Sequence, residues 1–137
     1  MISNSNKNWL TNPIIDLGDQ FSDERGNIIT IISLLEPTIG SVVVIDSKKG
    51  STRANHYHKT DWHYCYVVSG KIDYYTREVG SKEKPTKTTI LKNQLFYTPP
   101  MLEHAMYFPE DTVFFTFGGG SRKQEEYEAD LVRVTVI

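Results

Sequence analysis

A single cysteine, Cys65, stands in this chain of 137 residues, so no internal disulfide can form and the fold must be held by its core. Long apolar runs are missing as well, and nothing approaches the roughly 18 residues that a spanning helix needs. The opening stretch MISNSNKNWL has no apolar segment of the kind that leads secretion. A cytoplasmic protein without a membrane role is therefore expected. Charge of one sign is lacking too: 15 Lys and Arg face 17 Asp and Glu, for a net charge of -2. Without a clustered cationic footprint, a nucleic-acid partner is not expected. No internal repeat or low-complexity tract suggests a domain boundary.

With 39% hydrophobic and 12% aromatic residues, the chain can bury one core and has no room for a second. Short runs rich in Val, Ile, Tyr, Phe and Thr recur between clusters of Gly, Pro, Asp and Ser, the rhythm of an all-β sandwich or barrel. Strands are expected at residues 28–34, 41–46, 54–58, 63–68, 71–78, 87–91, 94–98, 105–108, 113–117 and 130–136. Ten short strands suit a jelly-roll barrel in one domain spanning 1–137, with its core at about 21–136. The run Gly118-Gly119-Gly120-Ser121 reads as the most flexible point in the chain.

All four histidines of the chain are His56, His58, His63 and His104. The first three lie between Gly50 and Gly70, and the fourth follows the turn signal Pro99-Pro100. Alternate residues of a strand share a face, so His56 and His58 point together, and His63 points with Cys65 and Val67. If that face is the barrel interior, the imidazoles converge. Three readings are open for the cluster. Neutral imidazoles without thiolate partners would suit Fe, Ni, Cu or Zn. A histidine titrating near neutrality could move a proton from carbon beside a carbonyl. The histidines could also be polar residues satisfied inside a barrel.

The spacing Gly50, five residues, His56, one residue, His58, four residues, His63, six residues, Gly70 resembles the first motif of the cupin superfamily. His63 stands where most cupins keep a metal-binding Glu. The second motif is looser, with Asn93 and Met101 in place of two glycines, Phe108 in place of its closing Asn, and His104 at its histidine. The resemblance implies a cupin jelly roll with His56, His58, His63 and His104 as candidate ligands for Fe, Ni, Zn or Mn.

Other segments resemble the nucleotide-sugar branch of cupins, the deoxysugar 3,5-epimerases and the 3,4-ketoisomerases of dTDP-4-keto sugars. Phe21-Ser22-Asp23-Glu24-Arg25-Gly26 is similar to their opening Asp-x-Arg-Gly element, and Arg53-Ala54-Asn55-His56-Tyr57 to the epimerases' Arg-Gly-Leu-His-Tyr. His56-Tyr57-His58-Lys59 is similar to the ketoisomerases' His-x-His-Lys, as is the tail from Tyr127 through Asp130 to Arg133 to their closing segment. The resemblance implies an enzyme that isomerises or epimerises a nucleotide-linked keto sugar, with His56 as base, His58 or a tyrosine as acid, and Arg53, Lys59 and Arg25 as substrate-binding cations. A guanidinium suits phosphate oxygens because it donates in bidentate fashion. Tyr57, Tyr64, Tyr66, Tyr74, Tyr75, Tyr97 and Tyr107 are the tyrosines weighed for the acid.

Gly118-Gly119-Gly120-Ser121 stands where the epimerases carry a catalytic tyrosine, which counts against that activity. His63 stands where ketoisomerases commonly have Gln, which restores a ligand. The alternatives are a metal-dependent small-molecule cupin such as a dioxygenase, or a non-enzymatic sugar-binding cupin. Exposed sheet edges favour pairing, so a homodimer is expected, with the segment before Gly18 as a swapped or edge strand.

Overall fold

The computed structural model describes residues 8–32 and 38–137. In chain order its elements are β1 (Ile14–Ile15), β2 (Phe21–Asp23), β3 (Gly26–Ile28), β4 (Ser41–Ser47), β5 (Thr52–His58), β6 (His63–Ser69), β7 (Lys71–Glu78), β8 (Thr86–Leu91), β9 (Leu95–Thr98), β10 (Leu102–Tyr107), β11 (Thr112–Gly118), α1 (Gln124–Asp130) and β12 (Leu131–Arg133). Two five-stranded antiparallel sheets, ordered β1-β9-β6-β11-β4 and β12-β5-β10-β7-β8, form the jelly roll expected from the sequence. Among the described residues, no helix is long and apolar enough to cross a membrane.

Period-two burial explains how the sheets meet. In β11 the inward set is Thr112, Phe114, Thr116 and Gly118, and in β7 it is Ile72, Tyr74 and Thr76. Of these, Phe114, Ile72 and Tyr74 join Val67, Ile90, Phe96, Met106 and Phe108 in one cluster drawn from both sheets. Each large side chain removed from water there contributes about 1.5–3 kcal/mol. β6 departs from alternation because both of its faces are covered: Cys65 and Val67 point into the barrel, while Tyr64 and Tyr66 lie under Trp9, Leu17, Ile29 and Ile31.

The N-terminal segment thus packs on the outside of the chain's own first sheet, and β1 pairs with the edge strand β9 through Ile14 opposite Phe96. The expected strand at 28–34 is replaced by the β2–β3 hairpin, which pairs Phe21 with Ile28; residues 33 and 34 lie outside the described residues. The expected strand at 130–136 is cut to three residues, because α1 occupies residues 124–130. A helix of seven residues, with no side-chain cap, leaves too little periodicity to detect.

Outside the barrel, Glu103 on β10 lies opposite Arg77 on β7 and accepts from its Nε at 3.0 Å and its Nη2 at 2.7 Å. The other Glu103 oxygen accepts from the Gly80 amide at 3.0 Å. Glu103→Ala would strand both donors. Since Arg77 keeps some contact with water, urea denaturation is expected to show a loss of about 2 kcal/mol, below the roughly 3–5 kcal/mol of a fully buried pair. A loss under about 0.5 kcal/mol would show that the pair does not hold these strands.

Candidate functional site

β5 and β10 lie side by side, and their register sets His56 directly opposite His104. His58 follows on the same face of β5, and His63 enters from the start of β6. All four imidazoles are buried inside the barrel. Ring centroids are 4.8 Å apart for His56 with His58, for His56 with His104 and for His58 with His63.

The backbone just before His56 is irregular, with Ala54 at φ 67° and Asn55 at φ 55°, and the β5–β10 register shifts between His104 and Ala105. Such a bulge re-aims the side chains that follow it. Asn tolerates the left-handed region, whereas Ala is strained there. The strain is held by Asn55, whose Oδ1 accepts from the amides of Val136 at 2.9 Å and Ile137 at 3.1 Å. Strained backbone of this kind gathers at functional sites.

Hydrogen bonds assign the tautomers. His104 Nδ1 lies 3.0 Å from the Leu102 carbonyl and His58 Nδ1 lies 3.2 Å from Asp130 Oδ2. Neither oxygen can donate, so each Nδ1 carries the proton and each Nε2 keeps its lone pair for the cavity. His56 Nδ1 is buried with no partner. Each of these three residues has a nitrogen within 4.8 Å of the others, so His56, His58 and His104 are the residues that could hold a divalent ion.

His63 does not belong to that triad: its Nε2 lies 3.5 Å from Asp61 Oδ2. A second group, His58 with Asp61 and Asp130, is already committed, because Asp130 accepts from Thr60 Oγ1 at 2.6 Å, the Thr60 amide at 2.9 Å and the Asp61 amide at 3.0 Å. It anchors the loop between β5 and β6 to the end of α1.

Burial drives the titration of the cluster. Desolvation, aided by His58 and Arg133, pushes His56 down to about 3. Desolvation lowers His63 to about 4 against the opposing charge of Asp61, and holds His104 well below the ordinary range with help from His56. His58 is also lowered by burial, but Asp61 and Asp130 oppose the shift. For Asp130, burial raises the carboxyl, and the hydrogen bonds from Thr60, Asp61 and His58 outweigh it and leave it lowered. All four rings are therefore neutral at pH 7.

The cavity has a volume of about 250 Å³. Its polar lining comprises the four histidines, Cys65, Thr98, Thr116 and Tyr127, and its cations are Arg53, Arg122 and Arg133; among the described residues no carboxylate lines it. Of the cations expected from the sequence to bind substrate, Arg53 reaches the cavity, yet its Nε and Nη2 donate to Ser47 Oγ at 2.7 Å and the Asp46 carbonyl at 2.8 Å. Arg25 does not reach the cavity: it sits on the exposed β2–β3 hairpin, paired with Asp23 at 2.6 Å. Lys59 is exposed beyond the end of β5 and is also absent from the lining.

A family model described as the polysaccharide biosynthesis C-terminal domain matches residues 21–116, from β2 into β11 and more than two thirds of the chain. The chain belongs to this family. A search of curated proteins returned no match. Among solved structures, the chain resembles a double mutant of the QdtA 3,4-ketoisomerase from Thermoanaerobacterium thermosaccharolyticum in complex with TDP, with 20% identity, a TM-score of 0.68, and coverage of 84% of this chain and 82% of that one. It resembles the capsular polysaccharide assembling protein CapF from Staphylococcus aureus at 25% identity and a TM-score of 0.63, covering 90% of this chain but 35% of CapF. A dTDP-4-dehydrorhamnose 3,5-epimerase from Sulfolobus tokodaii matches at 18% identity and a TM-score of 0.66, over 86% of this chain and 78% of that one. The fold is thus the jelly roll that these solved structures share.

The family match stops at Thr116, before the tail that completes the pocket. The glycine run that follows is built for contact rather than flexibility. A Cβ on Gly118 would stand 2.9 Å from the His63 ring, one on Gly119 2.6 Å from Trp62 Nε1, and one on Gly120 2.9 Å from Asp61 Oδ2. The Gly120 amide donates to Asp61 Oδ1 at 2.8 Å. Pressed against this wall, the chain turns back and brings Arg122 and Tyr127 over the cavity. The Tyr127 ring lies 5.5 Å from that of His58. None of the seven tyrosines weighed from the sequence lines the cavity; Tyr127 was legible only as part of the tail resemblance.

Neutral imidazoles make stability depend on pH in a fixed direction. Below the ordinary histidine value of 6.5 the unfolded chain binds protons that the folded chain, with His56 near 3 and His63 near 4, does not. Stability of the metal-free protein is therefore full above 6.5 and falls with pH, by up to about 1.4 kcal/mol per pH unit for each histidine involved. Urea midpoints compared at about pH 7.5 and about pH 5 are expected to drop steeply at the lower value. Equal midpoints would mean that the four rings are solvated.

Proposed function

We propose that the chain modifies a nucleotide-linked keto sugar by moving a proton on carbon beside the carbonyl. The observation that carries this reading is the convergence of neutral imidazoles in a cavity that has arginines and, among the described residues, no carboxylate in its lining. QdtA, with which the chain shares a fold, is a sugar 3,4-ketoisomerase crystallised with TDP-4-keto-6-deoxyglucose, which supports the substrate class.

His58 is the better base. Its Nε2 lone pair faces the cavity, and Asp130 stands behind Nδ1 to stabilise the imidazolium that forms when the proton is taken. His56, held near 3, is a weak proton acceptor and serves to contact the carbonyl side of the substrate. Removal of the proton leaves an enediolate; return of that proton to the former carbonyl carbon, with the former carbonyl oxygen gaining a proton and the neighbouring hydroxyl losing its own, completes an isomerisation. The phenol of Tyr127 is the pocket's candidate for the proton donor.

A second reading is favoured by the orphaned Nδ1 of His56 and the three nitrogens grouped with it. In that reading His56, His58 and His104 hold a divalent ion, Fe, Ni, Zn or Mn, which when bound supplies Lewis acidity toward a substrate oxygen.

Turnover of dTDP-linked 4-keto sugars tests the first reading. His58→Asn is expected to lower kcat by about a hundredfold or more. Asp130→Asn is expected to lower it about tenfold and to move the pH profile. Full activity in the His58 variant would end the proposal. Elemental analysis separates the second reading: stoichiometric metal that disappears in His104→Ala supports it, and turnover without metal removes it.

A further inference from the structure

A cavity of about 250 Å³ lies below the roughly 300–1,000 Å³ of pockets that enclose a whole drug-sized ligand. It admits one sugar-sized group. The rest of a nucleotide-linked substrate must lie across the mouth, and the mouth is built from the tail that follows β11.

Two arginines of that tail line the pocket. Arg133 on β12 sits directly opposite His56 in the β12–β5 register, and its Nη2 donates to Glu128 Oε1 at 2.8 Å in an exposed pair. Arg122 follows the glycine wall, and its guanidinium lies 4.1 Å from the centre of the Tyr127 ring. Among the described residues Arg122 has no hydrogen-bond or carboxylate partner, so its donors are open to a ligand. Arg53 contributes charge to the same pocket, but two of its nitrogens are already spent on β4.

Among the described residues no carboxylate lines the pocket, so an anion at the mouth meets these guanidiniums without an opposing charge in the lining. Resting on the proposed nucleotide-sugar reading, we infer that Arg122 and Arg133 form a two-armed clamp at the mouth for the diphosphate of the substrate, in place of the Arg25 and Lys59 suggested by the sequence. Guanidinium forks match phosphate oxygens in bidentate fashion, and both side chains start from solvent, so closing on an anion costs little desolvation. The glycine wall sets where Arg122 stands. The pairing with Glu128 keeps Arg133 extended beside the pocket until an anion competes for it.

Calorimetric titration of the full chain with dTDP, UDP and inorganic pyrophosphate tests the clamp. Arg122→Ala and Arg133→Ala are each expected to weaken dTDP or UDP about tenfold, and the double variant about a hundredfold. Wild-type affinity should fall with added salt. Arg25→Ala is the control and is expected to bind like wild type. Both clamp residues are exposed, so unchanged melting of the variants is expected to show that they remain folded.

Wild-type binding that survives within twofold in the double variant overturns the clamp and leaves the nucleotide reading standing. Arginine-dependent binding of pyrophosphate without binding of dTDP or UDP supports the clamp and removes the nucleotide reading. Failure of the wild type to bind any of the three overturns the clamp.

Discussion

Dehydration of the four imidazoles is the constraint on which the site depends. Bringing them inside one barrel forces each to give up its proton, because a buried cation without a partner costs far more than a neutral ring. Neutral rings are good ligands and proton acceptors, and they remain polar atoms that need partners. The chain meets that need from behind: the Leu102 carbonyl accepts a hydrogen bond from Nδ1 of His104, and Asp130 accepts one from Nδ1 of His58. What is left over, the His56 Nδ1, the His63 Nε2 and the lone pairs of His58 and His104, lies around the place a ligand would take.

Carboxylates are correspondingly displaced from the pocket into the loops around it. Asp61 and Asp130 fasten the β5–β6 loop to the glycine wall and to the end of α1, and Glu103 fastens β10 to β7 on the outer face. Positive charge then remains unopposed in the lining. The same arrangement holds the histidines rigid and makes the mouth attractive to anions, so structural support and substrate capture come from one distribution of charge.

Much of this was legible in the sequence. Period-two geometry placed His56 and His58 on one face, whereas the strand expected after the turn at Pro99-Pro100, residues 105–108, began one residue past His104, which lies within β10. The jelly roll followed from short β-rich runs. Residues whose position depends on loops were not legible. His63 satisfied a ligand spacing and does line the cavity, but its nitrogens fall outside the group formed by the other three, with Nε2 3.5 Å from Asp61 Oδ2. Arg25 and Lys59 matched motifs and yet end in solvent, since a motif match does not state which way a hairpin or strand end turns. The glycine run read as flexibility because composition cannot reveal that Trp62, Asp61 and His63 press against it. Tyr127 and Arg122 ride on that wall and on a helix too short to leave a period, so only the packed chain brings them over His58.

The central claim is that His58 exchanges a proton with substrate carbon. Incubation of the protein with a nucleotide-linked 4-keto sugar in deuterium oxide, followed by mass spectrometry of the sugar, tests it most directly. Deuterium entering carbon beside the carbonyl with wild-type protein, and no faster than the uncatalysed background with His58→Asn, is the predicted result. A sugar that is bound yet gains no deuterium above background would contradict the claim and make the pocket a binding site.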